Sequence, residues 1–69
     1  MEQSIRNQLP GRVKSIVSNE VLSEVIVETS IGDIASVITT RSVEEMKLRP
    51  WDKVFALIKA TNVSLARRS

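Results

Sequence analysis

Residues 34–60 read IASVITTRSVEEMKLRPWDKVFALIKA, and the changes of period inside that stretch decide the fold. Ile34 to Thr39 is rich in β-branched residues and reads as a strand. From Thr39 to Met46 the pattern turns helical. Ser42 and Glu45 have capping-box spacing, and Glu44 and Glu45 sit where the positive end of a helix dipole favours acids. Val43 and Met46, three apart, are expected to face inward together. Pro50 stops the helix, and Pro50-Trp51-Asp52 turns the chain into a further strand. That strand, Lys53 to Ala60, is apolar on both parities: Val54, Ala56 and Ile58 on one, Phe55 and Leu57 on the other. Such a run predicts cover on both faces.

Period-two alternation extends outward from this segment. Leu9, Val13 and Val17 share one parity while Arg12 and Lys14 take the other, which predicts a first strand with a bulge or bend at Pro10-Gly11. Ser18-Asn19 reads as a turn. Val21 to Thr29 reads as a second strand, with Val21, Val25 and Val27 on one face and Glu24 and Glu28 opposite. Ser30 to Gly32 is the next turn. Beyond residue 60, a kink at Thr61-Asn62 leads to a short last strand at Val63 and Leu65 and a basic end, Arg67-Arg68-Ser69. The expected fold is all-β, a small five-stranded OB-like Greek-key barrel with one short helix between strands 3 and 4, as a single domain over residues 1–69.

Composition limits what such a domain does. The chain has 69 residues, with 10 Lys plus Arg against 8 Asp plus Glu, and neither His nor Cys. A chain of this size buries only about 60% of its unfolded surface, and small domains usually make up the deficit with disulfides, a metal or a partner. Disulfides are impossible without Cys, and structural zinc loses its main ligands, so oligomerisation is the expected remedy. Ser-His-Asp triads and Cys-His pairs are excluded, and no feature points to an enzyme. No apolar run approaches the roughly 20 residues of a membrane span, and the polar start (Met1, Glu2, Gln3, Ser4) does not read as a signal peptide, so a cytoplasmic location is expected.

Two segments carry candidate chemistry. Ser4-Ile5-Arg6-Asn7-Gln8 gathers hydroxyl, guanidinium and amide donors; a solvated, frayed terminus is the alternative. Lys59 shares its parity with Phe55 and Leu57 at the end of the most apolar strand. Either its ammonium snorkels to water or, partly desolvated, it needs an anion. Thr39, Thr40 and Ser42 add hydroxyls at a helix start, either as ordinary caps or as part of an anion site. A site rich in donors and poor in carboxylates suits a tetrahedral oxyanion, which offers acceptors and no protons. No side chain is assigned as a direct ligand of a metal cation.

These residues also carry a resemblance. Ser4-Ile5-Arg6-Asn7-Gln8-Leu9, with Gly11 and Val13, resembles the S-x-R-N-Q/K-L-x-G-x-V opening of the molbindin (Mop) family of small molybdate-binding proteins. Ile38-Thr39, Ser42-Val43-Glu44-Glu45 and Leu48 resemble its I-T-x-x-S-V-x-x-L-x-L stretch, with Met46 in place of the first Leu. Val54 to Thr61 resembles its V-x-A-x-I/V-K-A/S-T segment. The resemblance implies cytoplasmic binding of molybdate, and often tungstate, for storage and homeostasis. It further implies hexamers built as trimers of dimers, with oxyanions between subunits. On matching positions, Ser4 and Arg6 would donate from one subunit, Lys59 and the backbone at Ala60 from another, and Thr39 and Ser42 would complete the shell; Asn7 matches the motif. The family's turn before the fourth strand usually carries Gly, where this chain has Trp51.

Two other readings stand beside this one. A single-stranded nucleic-acid-binding OB module would stack bases on surface aromatics along a basic groove. The only aromatic residues here are Trp51 and Phe55, and acids interrupt the basic residues, so no nucleic-acid partner and no membrane partner is expected. An oxyanion-sensing regulatory or interaction module would use the same site for another role.

Overall fold

The computed structural model describes residues 6–68. The chain runs β1 (Arg6–Ser18), β2 (Leu22–Thr29), β3 (Gly32–Thr39), α1 (Thr40–Met46), β4 (Lys53–Lys59) and a 3-10 turn at Ala60–Asn62. The strands form one antiparallel sheet in the order β3-β2-β1-β4. β1 is its spine. Arg6 to Arg12 pairs with β4, from Lys59 back to Lys53, and Gly11 to Ser18 pairs with β2. The helix falls between the third and fourth strands, as its period predicts.

The sheet has four strands where five are expected, and it is open. Residues 63–68 have no regular structure, Leu65 is 94% exposed, and β3 and β4 remain the two edges. Two apolar residues followed by Ala66-Arg67-Arg68 offer little burial to repay the ordering of a strand. The 3-10 turn, closed by the Val63 amide on the Ala60 carbonyl (3.3 Å), ends β4 first.

The bulge in β1 lies at Lys14, not at Pro10-Gly11. Val13 pairs with Val27 and Ser15 with Ile26, leaving Lys14 as the extra residue. One inserted residue reverses the parity that follows, so Ile16 packs toward the core and Val17 is exposed. Lys14 is tied to Asp33 at 2.8 Å, and that contact raises its pKa. The ladder runs unbroken through Pro10 and Gly11. Pro10 is paired only with β4, so its missing N–H leaves no ladder bond unmade on the other side. Gly11 is required by a close approach. A Cβ there would collide with the Glu28 carbonyl oxygen and lie 2.8 Å from Val27 Cγ1.

α1 is capped by Thr39, so the expected capping box at Ser42 and Glu45 is not formed. The Thr39 hydroxyl accepts from the Ser42 amide at 3.0 Å, and the first helical turn contains no acid. The helix closes in a Schellman arrangement. Lys47 is left-handed (φ 54°), its amide donates to the Glu44 carbonyl, and the Leu48 amide donates to Val43 (both 3.1 Å). This early stop leaves Met46 exposed, and Leu48 joins Val43 against the core instead. In the turn Arg49-Pro50-Trp51-Asp52 the Asp52 amide reaches the Arg49 carbonyl at 3.2 Å. Trp51 takes φ 75°, the third-position geometry of a type II turn that favours Gly.

The core is small. Among the described residues, Val13, Val25 and Val27 are the buried apolar ones, with Ile16, Ile38, Val43, Leu48 and Val54 packed partly against them. β4 is half-buried on its inner parity (Val54, Ala56, Ile58), but its outer parity is open, Phe55 being 63% and Leu57 57% exposed. The expected cover on both faces is therefore absent within one chain. The accessible surface is 6067 Å², against about 4,300 Å² for a compact monomer of this mass. The radius of gyration, 13.4 Å, likewise exceeds the roughly 11 Å of a compact 69-residue domain.

Two stability measurements follow. Gly11→Ala is expected to cost about 1–3 kcal/mol in urea denaturation, because both colliding groups belong to a paired strand. At Trp51, replacement by Gly is expected to be more stable than replacement by Ala by about 1 kcal/mol, and equal midpoints would contradict the strained turn.

Candidate oxyanion site

Arg6 and Lys59 are direct partners across the β1–β4 ladder. Residues opposite one another on antiparallel strands point to the same face, with Cβ atoms about 4.5–5.5 Å apart. That face is the outer one, since Lys59 shares its parity with exposed Phe55 and Leu57. Two cations thus stand side by side at one end of the sheet. Among the described residues neither has an ion-pair partner; the two ion pairs, Lys14–Asp33 and Arg41–Glu45, lie elsewhere. Like charges directly opposite are unfavourable in a sheet, and a bridging anion reverses the sign of the interaction. Ala60 begins the 3-10 turn directly after Lys59, so the backbone bends away beside the pair.

Asn7, one residue along, faces the other way. Its Nδ2 donates to the Ile58 carbonyl at 3.3 Å, a bond that ties β1 to β4 next to the cation pair. Ser4 lies outside the described residues.

Thr39 and Ser42 form a second group. The Thr39 hydroxyl donates to Ser42 Oγ at 2.8 Å while accepting from the Ser42 amide, which leaves the Ser42 hydroxyl proton free to donate outward. Beneath them runs a chain of hydroxyls that sequence reasoning missed. Ser18 Oγ and Ser23 Oγ are 2.6 Å apart, Ser23 Oγ and Thr40 Oγ1 2.8 Å, and Thr40 donates to the Asn19 carbonyl at 2.8 Å. Ser23 is fully buried, and its signal was a hydroxyl on the same parity as Val25 and Val27. The chain locks the start of α1 to the ends of β1 and β2.

The two groups do not meet within one chain. Thr39 pairs with Leu22, beside the Ser18–Ser23 end of the sheet, whereas Arg6 opens β1 at the other end. The 13 residues of β1 separate them, a path of about 40 Å at roughly 3.3 Å per residue. The structure therefore brings together Arg6, Lys59 and Ala60, and separately Thr39 and Ser42. Every side-chain group in both sets that points to solvent is a donor or a hydroxyl, the chemistry of an anion site.

Residues 3–65 match the TOBE domain model. The chain belongs to the TOBE domain family. Within that family it is similar to the small molybdenum-binding Mop proteins. It is 35% identical over 66 residues to molybdenum-pterin-binding protein 3 of Clostridium pasteurianum, covering 94% of this chain and 97% of that one. A molybdate-binding protein from Sporomusa ovata has the same fold, with a TM-score of 0.89 and 36% identity, covering 97% of this chain and all of that one. MopII from Clostridium pasteurianum, in a form described as apo2, superposes with a TM-score of 0.86 at 34% identity over 96% of this chain. These TOBE relatives are binding proteins rather than enzymes.

The cap makes one contribution measurable without ligand. Thr39→Ala removes the acceptor for the Ser42 amide and is expected to lower stability by about 1 kcal/mol, whereas Thr39→Ser retains most of it. Equal losses in the two variants, read by thermal unfolding, would contradict the cap.

Proposed function

We propose that this protein, acting as a single domain over residues 1–69, binds molybdate in sites completed by a second copy of the chain. The observation that carries the reading is the unpaired Arg6–Lys59 cation pair. Two positive charges, side by side and with no ion-paired carboxylate among the described residues, match the charge and the acceptor-only oxygens of a tetrahedral dianion. The names of its relatives, one a molybdate-binding protein and one a molybdenum-pterin-binding protein, point to molybdate as that dianion. Tungstate, with the same charge and shape, is expected to compete.

Arg6 and Lys59 act from one chain, with the backbone at Ala60 beside them and Ser4 preceding them. This differs from the division the resemblance implies, in which they come from different subunits. Thr39 and Ser42, at the far end of the same sheet, contribute from a neighbour, with Ser42 as the donor and Thr39 aligning it. Asn7 holds the ladder at the pair. Assembly also supplies what the single chain lacks. The exposed Leu57 becomes covered, and the free segment at Val63–Leu65 pairs with an open edge as the fifth strand, closing the expected barrel. A hexamer of three dimers, and storage of the oxyanion in the cytoplasm, complete the reading.

Because only the assembled form holds a whole site, ligand and assembly are linked. Molybdate is expected to raise the melting temperature and the assembled fraction in analytical ultracentrifugation; an unchanged melting curve at millimolar oxyanion would overturn the reading. Arg6→Ala and Lys59→Ala each remove a charge-assisted donor and are expected to weaken binding by roughly 1.5–3 kcal/mol, about ten- to a hundredfold or more. Calorimetry with molybdate, tungstate, sulfate and phosphate measures this, and near-normal affinity in both variants would reject the assignment.

A further inference from the structure

The outer face of the β1–β4 ribbon carries a second cation pair. Arg12 stands opposite Lys53, as Arg6 does opposite Lys59, and Pro10, Phe55 and Leu57 lie between the two pairs on the same parity. Among the described residues neither Arg12 nor Lys53 has an ion-pair contact. Glu28 is the β2 neighbour of Arg12 and Asp33 lies beyond it, but Asp33 is engaged by Lys14, and both acids stand on the β2–β3 side. On the β4 side an open groove of about 420 Å³ is lined by Arg12 and Lys53 together with Pro10 and Phe55. The Arg12 guanidinium is anchored there, its Nη1 donating to the Trp51 carbonyl at 3.2 Å. Its remaining N–H groups are left over for a ligand.

We propose that Arg12 and Lys53 form a second anion site, which takes the dianionic tetrahedral group of a free oxyanion or of an organic phosphate monoester. The site is separate from the Arg6–Lys59 pair. Six positions along β1 correspond to about 20 Å, beyond the reach of one tetrahedral anion and beyond the ~8–10 Å screening length of physiological salt. The two sources of the group differ in what they ask of the groove. A free oxyanion uses the two cations alone, while a monoester also lays its organic part against Phe55 and Pro10.

The test uses the full chain with Arg6 and Lys59 both changed to Gln, titrated with phosphate, molybdate and phenyl phosphate. Trp51 is the only tryptophan, and its carbonyl touches Arg12, so its fluorescence reports the groove alongside amide shifts in ¹H–¹⁵N spectra. A saturable response at Arg12 and Lys53 is expected, weakened on the order of tenfold or more by Lys53→Glu, which turns the like-charged pair into an ion pair. Tighter binding of phenyl phosphate than of phosphate, lost in Phe55→Ser, identifies the monoester. Equal binding identifies the free oxyanion. No saturable shift at Arg12 and Lys53, or an unchanged response in Lys53→Glu, overturns the proposal. Should the double variant fail to fold, the unaltered protein still decides: amides at Arg12 and Lys53 must titrate with a midpoint of their own. Shifts there together with calorimetric binding indifferent to Arg6 and Lys59 would count against the molybdate site alone.

Discussion

The register between β1 and β4 is the constraint on which the rest depends. It sets like charges opposite each other at both ends of one ribbon, Arg6 with Lys59 and Arg12 with Lys53. A slip of β4 by one residue would move Lys53 and Lys59 to the inner face and break both pairs. Two local features hold the register. The Asn7 amide donates to the Ile58 carbonyl, and the Trp51 and Asp52 backbone exchanges hydrogen bonds with Val13. Arg12 faces Glu28 on its β2 side, the favourable arrangement across a ladder, whereas Arg6 has Lys59 alone opposite it among the described residues. An anion bound at such a pair would convert repulsion into attraction.

The same ribbon explains why the chain is so open. Its inner face packs Val13 and Val54 against β2 and α1, but its outer face leaves Phe55 and Leu57 exposed between the cation pairs. With three buried apolar residues among those described and no disulfide, the single chain has little hydrophobic reserve. Its surface exceeds that of a compact monomer by about 1,800 Å², roughly twice the ~800 Å² that each partner buries in a standard protein–protein interface. A second copy, as proposed, would supply both the missing stability and the missing half of the donor set.

Most of the strand pattern was legible. Val25 and Val27 against Glu24 and Glu28, the β-branched run before Thr39 and the apolar run after Asp52 all formed where alternation placed them, and the short helix fell between the third and fourth strands. The failures share a cause, which is that single-residue geometry is invisible to periodicity. Lys14 carries no signal of a bulge, yet it reverses the parity of Ile16 and Val17. Ser42 and Glu45 satisfy a capping box, but Thr39 lies closer to the true end of β3 and takes the cap. Lys47 in the left-handed region stops the helix a turn before Pro50, which is why Leu48 and not Met46 packs inward. The apolar outer parity of β4 reads as burial, yet Phe55 and Leu57 are exposed, because periodicity does not show whether any element of the chain packs on that face. The donor residues were legible as chemistry, whereas their grouping was not, because Arg6 and Lys59 are 53 positions apart and only the ladder brings them together.

If both groups of donors serve one anion, placing them at the two ends of one sheet makes occupancy a property of the assembly. A chain that gathered Arg6, Lys59, Thr39 and Ser42 by itself would bind its ligand as a monomer, and ligand concentration would leave oligomerisation untouched. Here a chain carries a cation pair without its hydroxyls at one end and hydroxyls without their cations at the other. On the proposed reading each anion would join two chains, neutralise the repulsion within the cation pair, and give the Ser42 hydroxyl an acceptor. The free energy of binding would then appear partly as affinity and partly as assembly. Such a protein would capture oxyanion most strongly when both chain and ligand are abundant, and would release it as dilution of either one separates the copies. That would be the behaviour of a buffer.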